Sequence, residues 1–582
     1  MKLSAKTYRD LLITYLKPQW VRVLWLCLLL ASSISIALIN PQIVRTFIDS
    51  ASAKGTLWGL LFIALIFLLL SIARQIITVI EAYVAANVSL TATNALRADL
   101  MLHCLQLDAT FHTTHSPGEL IERIDGDVSS LSTFFSRLVI ALFGNICLLI
   151  GVLVLLFLVD WRVGGVLSVF TVLAFLLVNR LRGLATPYWE AERQASADLF
   201  GFLEERLSGT EDVRSSGATQ YMLQGLSVHS RNRLRKLRKA MGVNFSTWGT
   251  ITLVNALGMA IALVMGSYFY WAGTMSSGTV LLLFLYTTTL TTPIEQIVNQ
   301  LRELQQSAGS IERVVTLLNT KLTIVDGQGA TPLAPGALEV AFEDVSFHYN
   351  EDVPVLEHIQ LQLAPGSIMG LLGRTGSGKS TLTRLLERLY DPTAGVVRLN
   401  GTDIRMLTLD DLHEHIGMVT QDVHILHTTI RNNLTLFDAC ITDAQILEAL
   451  DLLGLEPWYR SQADGLDTVL APGGSGLSAG EAQLIAFARV FLRDPGLVIL
   501  DEASSRLDPA TERLLEHAID RLLEGRTGII IAHRLATVQR ADTIMILEHG
   551  KCAEYGSRQD LAHDATSRFA QLLRIGLEEV LA

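Results

Sequence analysis

The chain is poor in charge. Of 582 residues only 18% are Asp, Glu, Lys or Arg while 50% are hydrophobic, a balance that leaves a water-soluble protein of this length short of polar side chains for its surface. Cysteine is sparse too: the five, at positions 27, 104, 147, 440 and 552, have no paired spacing, which excludes a disulfide framework. Cys27 and Cys147 fall in apolar runs, where they act as small hydrophobes. His103, Cys104, His112 and His115 read as ordinary loop-helix side chains rather than metal ligands. A basic surplus is missing: the net charge of -11 gives no reason to expect nucleic acid as a partner, and the run Arg231 to Lys239 reads as a cytosolic face near a membrane. The first apolar run lacks a small-residue cleavage site after a short core, so it reads as a retained segment rather than a removable signal. No internal repeat or low-complexity tract is evident.

What is present in quantity is uncharged sequence of membrane length. Such runs cover 23–39, 55–73, 138–159, 163–179 and the long 240–294, and one span needs about 20 apolar residues. The last run is therefore two spans turning near Trp271 to Gly278, and the expected total is six. An even count puts both termini on one side. Eleven Lys and Arg lie between Arg180 and Lys239, against Arg45, Lys54 and Arg162 in the short outer turns, which places the loop 180–239 in the cytosol. The loop 86–137 is acidic, adds nothing to that bias, and falls on the same side by the even span count. Their helical patterning reads as extensions of the spans. Each carries a candidate docking turn: Ser116-Pro117-Gly118-Glu119, with helix-start chemistry, and the Ser208-Gly209 break. Arg74, Glu81 and Glu295 are the ionisable candidates for lining a cavity, or else lie at the cytosolic boundary.

The expected domains are a six-helix transmembrane domain over 1–320, a Gly/Pro linker over 321–337, and an α/β domain over 338–582 that opens with the strand LEVAFEDVSFHY. Within the last, Gly373-Arg374-Thr375-Gly376-Ser377-Gly378-Lys379-Ser380 follows an apolar strand and opens a helix. G-x-x-x-x-G-K-S in that context is a phosphate cradle: backbone N–H groups and a helix N-terminus approach the anion, Lys379 neutralises the β and γ phosphates, and Ser380, with Thr381 behind it, ligates magnesium. The strand LVIL ends in Asp501, suited to hold magnesium through water, and in Glu502, suited to act as general base. The strand GIIIA leads to His533, placed to contact the γ-phosphate.

Together these residues resemble the ATP-binding cassette family: the Walker A loop, a Q-loop glutamine at Gln421, a signature-like LSAGE at 477–481, Walker B LVILDE, a D-loop SRLD ending at Asp508, and a switch histidine at His533. The resemblance implies an exporter-type half-transporter, a P-loop NTPase cassette behind an all-α membrane domain, with ATP and Mg2+ as cofactors. It also implies adenine stacking on Tyr349, Gln421 at the metal, and Ser478 and Gly480 of the signature facing nucleotide on a partner subunit. Two features depart from the family pattern. Ala479 and Glu481 stand where the signature has glycine and glutamine, and Ala471-Pro472-Gly473-Gly474 stands where exporters have a Glu-Arg pair. Because Walker A, Glu502 and His533 are intact, the expectation is a heterodimer in the cytoplasmic membrane, with a homodimer as the alternative. Export of a drug, lipid or peptide by alternating access is expected. The alternatives are an importer on the same scaffold and an ATP-gated regulator or channel.

Overall fold

In the computed structural model the described residues are 10, 13–137, 142–327, 332–349, 353–501, 509–532 and 538–575. The chain divides into two compact units, one of 1–105 with 117–320 and one of 106–116 with 321–582.

The first unit is helical throughout: α1 (Trp20–Ser52), α2 (Leu57–Gln106), then, past a short helix α3 (Ala109–Thr114) assigned to the other unit, α4 (Pro117–Ile121), a π-helical turn Glu122–Asp127, α5 (Val128–Arg137), α6 (Gly144–Val159), α7 (Trp161–Ser208), α8 (Thr210–Ser215), α9 (Thr219–Trp271) and α10 (Ser277–Leu318). Five described helices are long and apolar enough to cross a membrane, and Gly144–Val159 is a shorter apolar one. The 50 residues of α2 run about 75 Å at 1.5 Å per residue, far beyond a hydrocarbon core of about 30 Å. Its apolar half turns Leu61, Phe62, Leu65, Leu68 and Leu69 outward, the pattern of a surface wetted by lipid rather than water. The bundle's own core is narrower: Leu156, Val163, Leu167, Ala262, Leu282, Leu283 and Tyr286 pack together from α6, α7, α9 and α10.

Polar groups fix the short turns at one end of the long helices. Asp160 caps α7 by accepting from Arg162 N–H at 2.7 Å. Ser276 caps α10, and Asp49 of α1 accepts from Gly278 N–H at 2.9 Å and from Ser276 Oγ at 2.8 Å, so two orphan N–H groups of α10 gain partners. At the far end Asp127 is buried and takes a two-armed ion pair from Arg313, with Nε to Oδ2 at 2.8 Å.

The second unit holds two sheets. β1 (Val340–Phe347), β2 (Leu356–Leu363), β4 (Ala394–Leu399) and β5 (Thr402–Asp403) form an antiparallel sheet in the order β2-β1-β4-β5. The larger has the order β10-β9-β3-β8-β7-β6, from β3 (Ile368–Gly373), β6 (Ile416–Val419), β7 (Leu497–Asp501), β8 (Thr527–Ile531), β9 (Thr543–Glu548) and β10 (Lys551–Ser557), parallel except for β9 with β10. Alternation along these strands builds a core on each face: Leu372, Val498, Leu500 and Ile530 join one cluster, while Leu371, Leu497, Ile499, Ile529 and Ile531 join the other. Burial on both faces is what a parallel sheet requires.

The docking expectation shifts here. Ser116-Pro117-Gly118-Glu119 does open a helix, α4, but α4 belongs to the helical unit; the segment grouped with the α/β unit is 106–116, just before it. The reason is non-local. The Asp108 carboxylate accepts from the N–H groups of Thr323 (3.2 Å) and Ile324 (3.4 Å), and Ala109 packs on the core that contains Leu371 and Ile499.

Candidate functional site

Among the strands of the large sheet, β3, β6 and β7 run parallel, and residues 373–380, Gln421 and Asp501 stand at or just past their C-terminal ends. From β3 the chain enters the loop that carries Arg374 and Thr375 and then α11 (Lys379–Leu386), whose N-cap is Gly378. Gly378 has φ +104° and an added Cβ would sit 2.6 Å from Leu356 Cδ2; at Gly373 it would sit 2.5 Å from the Leu547 carbonyl. Only glycine fits either place. The loop thus closes tightly, and Lys379, 7% exposed, donates its ammonium to the carbonyls of Gly373 (2.6 Å) and Arg374 (3.1 Å). The Ser377 hydroxyl is buried and has no hydrogen-bond partner among the described residues. A buried cation, an orphaned hydroxyl and a helix N-terminus at one glycine cradle are a donor set for an oxyanion.

Around that cradle, Ser380 is exposed and Thr381 buried on the first turn of α11. Tyr349, just beyond β1, shares a hydrogen bond with Thr381 Oγ1 at 3.1 Å and meets Phe347 and Tyr390 edge to face, with centroids 4.9 and 5.1 Å away. Arg384 donates to its hydroxyl at 3.3 Å. Tyr349 is 39% exposed, so its ring is held by edge contacts while part of the residue stays open to a ligand. Gln421, two residues past β6, is exposed, and Asp501 at the end of β7 is half-buried opposite Ile531. Ser380, Gln421 and Asp501 offer hard oxygen donors of the kind Mg2+ takes. Glu502, Asp508 and His533 lie outside the described residues.

Glu387 at the end of α11 was not singled out from sequence. Burial pushes its carboxyl up to about 7; Arg384 opposes this and the Asp501 charge adds to it. A second missed group is Arg489, in the helix Ala479–Arg493. It donates to the Asn433 carbonyl (2.6 Å), Asn433 Oδ1 (3.0 Å) and the His424 carbonyl (3.0 Å). Asn433 is fully buried and also binds Leu426 N–H and C=O. The segment after Gln421 is therefore stapled to the signature helix.

That helix, α14 (Ala479–Arg493, numbered after α12, Ile430–Thr435, and α13, Asp443–Leu452), has Ser478 as N-cap. Ser478 Oγ accepts from Glu481 N–H at 3.2 Å, and a Glu481 carboxylate oxygen accepts from Ser478 N–H at 2.7 Å. The pair is a capping box. The residue that departs from the family pattern thus lays its own carboxylate on the helix N-terminus, while Ser478 and Ala479 are exposed and Gly480 is buried.

Residues 23–294 match the family model of the ABC transporter transmembrane region and 356–505 match the ABC transporter model. The chain belongs to the ABC transporter family. Among its relatives is an uncharacterized ABC transporter ATP-binding protein, YfiC, of Bacillus subtilis, 30% identical over 557 residues that cover 94% of this chain and 91% of that one. The ATP-dependent lipid A-core flippase of Escherichia coli K12 is 28% identical over 527 residues, 89% of each chain. A bacterial Atm1-family ABC exporter solved with ATP bound superposes with a TM-score of 0.80 at 25% identity, covering 95% of this chain and 98% of that one. The transporter is thus a multi-pass membrane ATPase of the ABC exporter type, whose cassette binds ATP.

Proposed function

We propose that this half-transporter exports a hydrophobic or amphipathic substrate across the cytoplasmic membrane by alternating access, with its cassette and both termini in the cytosol, and that it works with a different second half. In this reading 1–320 form the transmembrane domain, 321–337 the linker and 338–582 the cassette. The loop 373–380 grips the phosphates: Lys379 leaves the loop carbonyls for the β and γ phosphate oxygens, a swap of neutral for anionic acceptors that favours the bound state. Tyr349 stacks on adenine. Ser380, Gln421 and Asp501 hold Mg2+, which supplies charge neutralisation at the phosphates. Glu502 takes the proton of the attacking water and His533 orients that water toward the γ-phosphate. Asp508 and the signature residues Ser478 and Gly480 face the partner.

The observation that carries the unequal pairing is the Glu481 capping box. The helix end offered to the partner's γ-phosphate already holds a carboxylate, so the second anion meets repulsion where the family places a neutral amide. The chain's own cradle has no such defect. A partner with an intact signature and a weakened catalytic carboxylate would concentrate both defects in one composite site. The segment 106–116 supports the coupling: it leaves one membrane-length helix, belongs to the ATP-binding unit, and returns at α4.

The test is purification with and without a co-expressed second half-transporter. Turnover and vesicle transport are expected only from the pair, and Glu502→Gln in the pair is expected to retain ATP and lock the closed state. Full turnover by this chain alone would overturn the heterodimer, and unchanged turnover of the Glu502→Gln pair would overturn the assignment of the base.

A further inference from the structure

Between α7, α9 and α10 the helical unit contains a crevice with a chemical direction along its length. Phe170, Ala174 and Val178 line it from α7 at helical spacing, Ile251, Val254 and Asn255 from α9, and Thr287, Thr291 and Glu295 from α10. Gly258 of α9 lets the far end close, since an added Cβ there would lie 2.7 Å from the Phe170 ring and 3.2 Å from the Thr287 methyl. One turn nearer, Thr291 Oγ1 donates to Asn255 Oδ1 at 2.9 Å, and one turn further along the same face stands Glu295. Thr287 to Glu295 is eight residues, about 12 Å of helix. The walls over that distance are mostly apolar, interrupted by Thr287 and the bonded Thr291–Asn255 pair, and a carboxylate closes one end.

The depth of that carboxylate matters. Glu295 is 18 residues past the outer start of α10 at Ser277, about 27 Å, and so stands at the inner edge of a hydrocarbon core of about 30 Å. It is half-buried, and among the described residues no group pairs with it. An acid held at that depth against apolar walls gains from a cation more than it would in water.

We propose that this crevice binds a monovalent amphipathic organic cation, its charged nitrogen on Glu295 and its apolar body toward Phe170. This rests on the exporter reading above and names the substrate class for it. The free space in this conformation, about 20 Å³, is near that of one water site, so α10 must yield to admit the cation. It is built to do so. Pro293 removes one backbone hydrogen bond beside Glu295, and Thr287, Thr288 and Thr289 turn their hydroxyls back on the helix carbonyls of Leu283 and Leu285, both of which ease bending.

The test uses the full chain in lipid nanodiscs with two fluorescent probes of similar size, a rhodamine ester that carries a permanent positive charge and an uncharged lipophilic dye such as Nile red. ATP binding is measured in parallel. Glu295→Gln is expected to weaken the rhodamine ester at least tenfold and Nile red less than twofold, with ATP binding unchanged; Glu295→Asp recovers most of the rhodamine affinity. Phe170→Ala is expected to weaken both dyes. Equal rhodamine affinity in wild type and Glu295→Gln, or equal loss of both dyes, would overturn the proposal while leaving the exporter reading standing. Failure of the wild-type pair to transport anything, with selective rhodamine binding intact, would instead count against the exporter reading alone.

Discussion

The loop that closes on Lys379 and the loop that opens at Ser478 each set a glycine-containing turn at a helix N-terminus of this cassette. They are finished in opposite ways. At the first, the nearest charge is a buried ammonium, parked on carbonyls that it can leave. At the second, the nearest charge is the Glu481 carboxylate, bonded to the Ser478 N–H. A helix end carries roughly half a positive charge, so one loop adds to that field and the other cancels it. The same local architecture thus favours an added anion at one loop and disfavours it at the other.

The sharpest way to break that contrast is to remove the polar group that defines each loop. In the assembled transporter, Lys379→Ala is expected to lower ATP affinity and turnover by about a hundredfold or more, since a charge-assisted contact to phosphate is lost at a site where electrostatics dominates. Ser478→Ala is expected to change turnover by less than about threefold and to cost about 1 kcal/mol of cassette stability as a lost N-cap. Nucleotide titration and steady-state ATPase assays read both. Losses of equal size would mean that the two loops contribute alike.

A second prediction concerns the acid beside the strong loop. The native Glu387 carboxyl titrates near 7 rather than at 4.5, so between those values the folded cassette holds a proton that the unfolded chain has released. Stability is therefore greatest below about pH 4.5 for this group and is lost as pH rises to about 7, by up to about 3 kcal/mol. Glu387→Gln is expected to flatten that window and raise the melting temperature of the cassette transition at pH 7.5. A wild-type transition that strengthens between pH 5 and 7 while the variant's does not would reverse the assigned sign.

On the weak side, the staple between the signature helix and the segment after Gln421 should be structural. Arg489→Met removes the arginine donor from the buried Asn433 carbonyl, while Asn433 Oδ1 keeps Leu426 N–H, at a cost of about 1–3 kcal/mol. The expected readout is a lower denaturant midpoint with ATP affinity at the Lys379 loop changed less than about twofold. A matching loss of ATP affinity would show that the two loops are not independent.

Contiguous features were legible in the sequence, and those closed by distant partners were not. GRTGSGKS carries its cradle within eight consecutive positions, and the turn between Trp271 and Ser277 shows as a break in one apolar run. The segment 106–116 gave no such signal, because Asp108 finds its partners at Thr323 and Ile324, more than two hundred residues on. Arg489 and Asn433 are likewise 56 positions apart. Glu387 sits in an ordinary amphipathic helix, and only packing reveals what burial does to it. Glu481 is a different case: Ser478-x-x-Glu481 is a capping-box pattern that sequence alone announces, although the departure from the family glutamine draws notice to its charge before its spacing.

That spacing makes the smallest predicted effect the most discriminating. Glu481→Gln keeps an oxygen for the Ser478 N–H, so the capping box survives, but it removes the negative charge from the helix end. Charge at such a position is worth about 0.3–1 kcal/mol. The cassette should therefore lose up to about 1 kcal/mol of stability, while the composite site facing the partner gains a similar amount of nucleotide affinity, about two- to fivefold in the ATP concentration that closes the pair. The two shifts have opposite signs because one charge acts on both: as a carboxylate it satisfies its own helix, and in the proposed pairing it would repel a phosphate brought to that helix end. A variant that gained affinity and stability together, or lost both, would show that Glu481 influences the site through the shape of the loop instead of its charge.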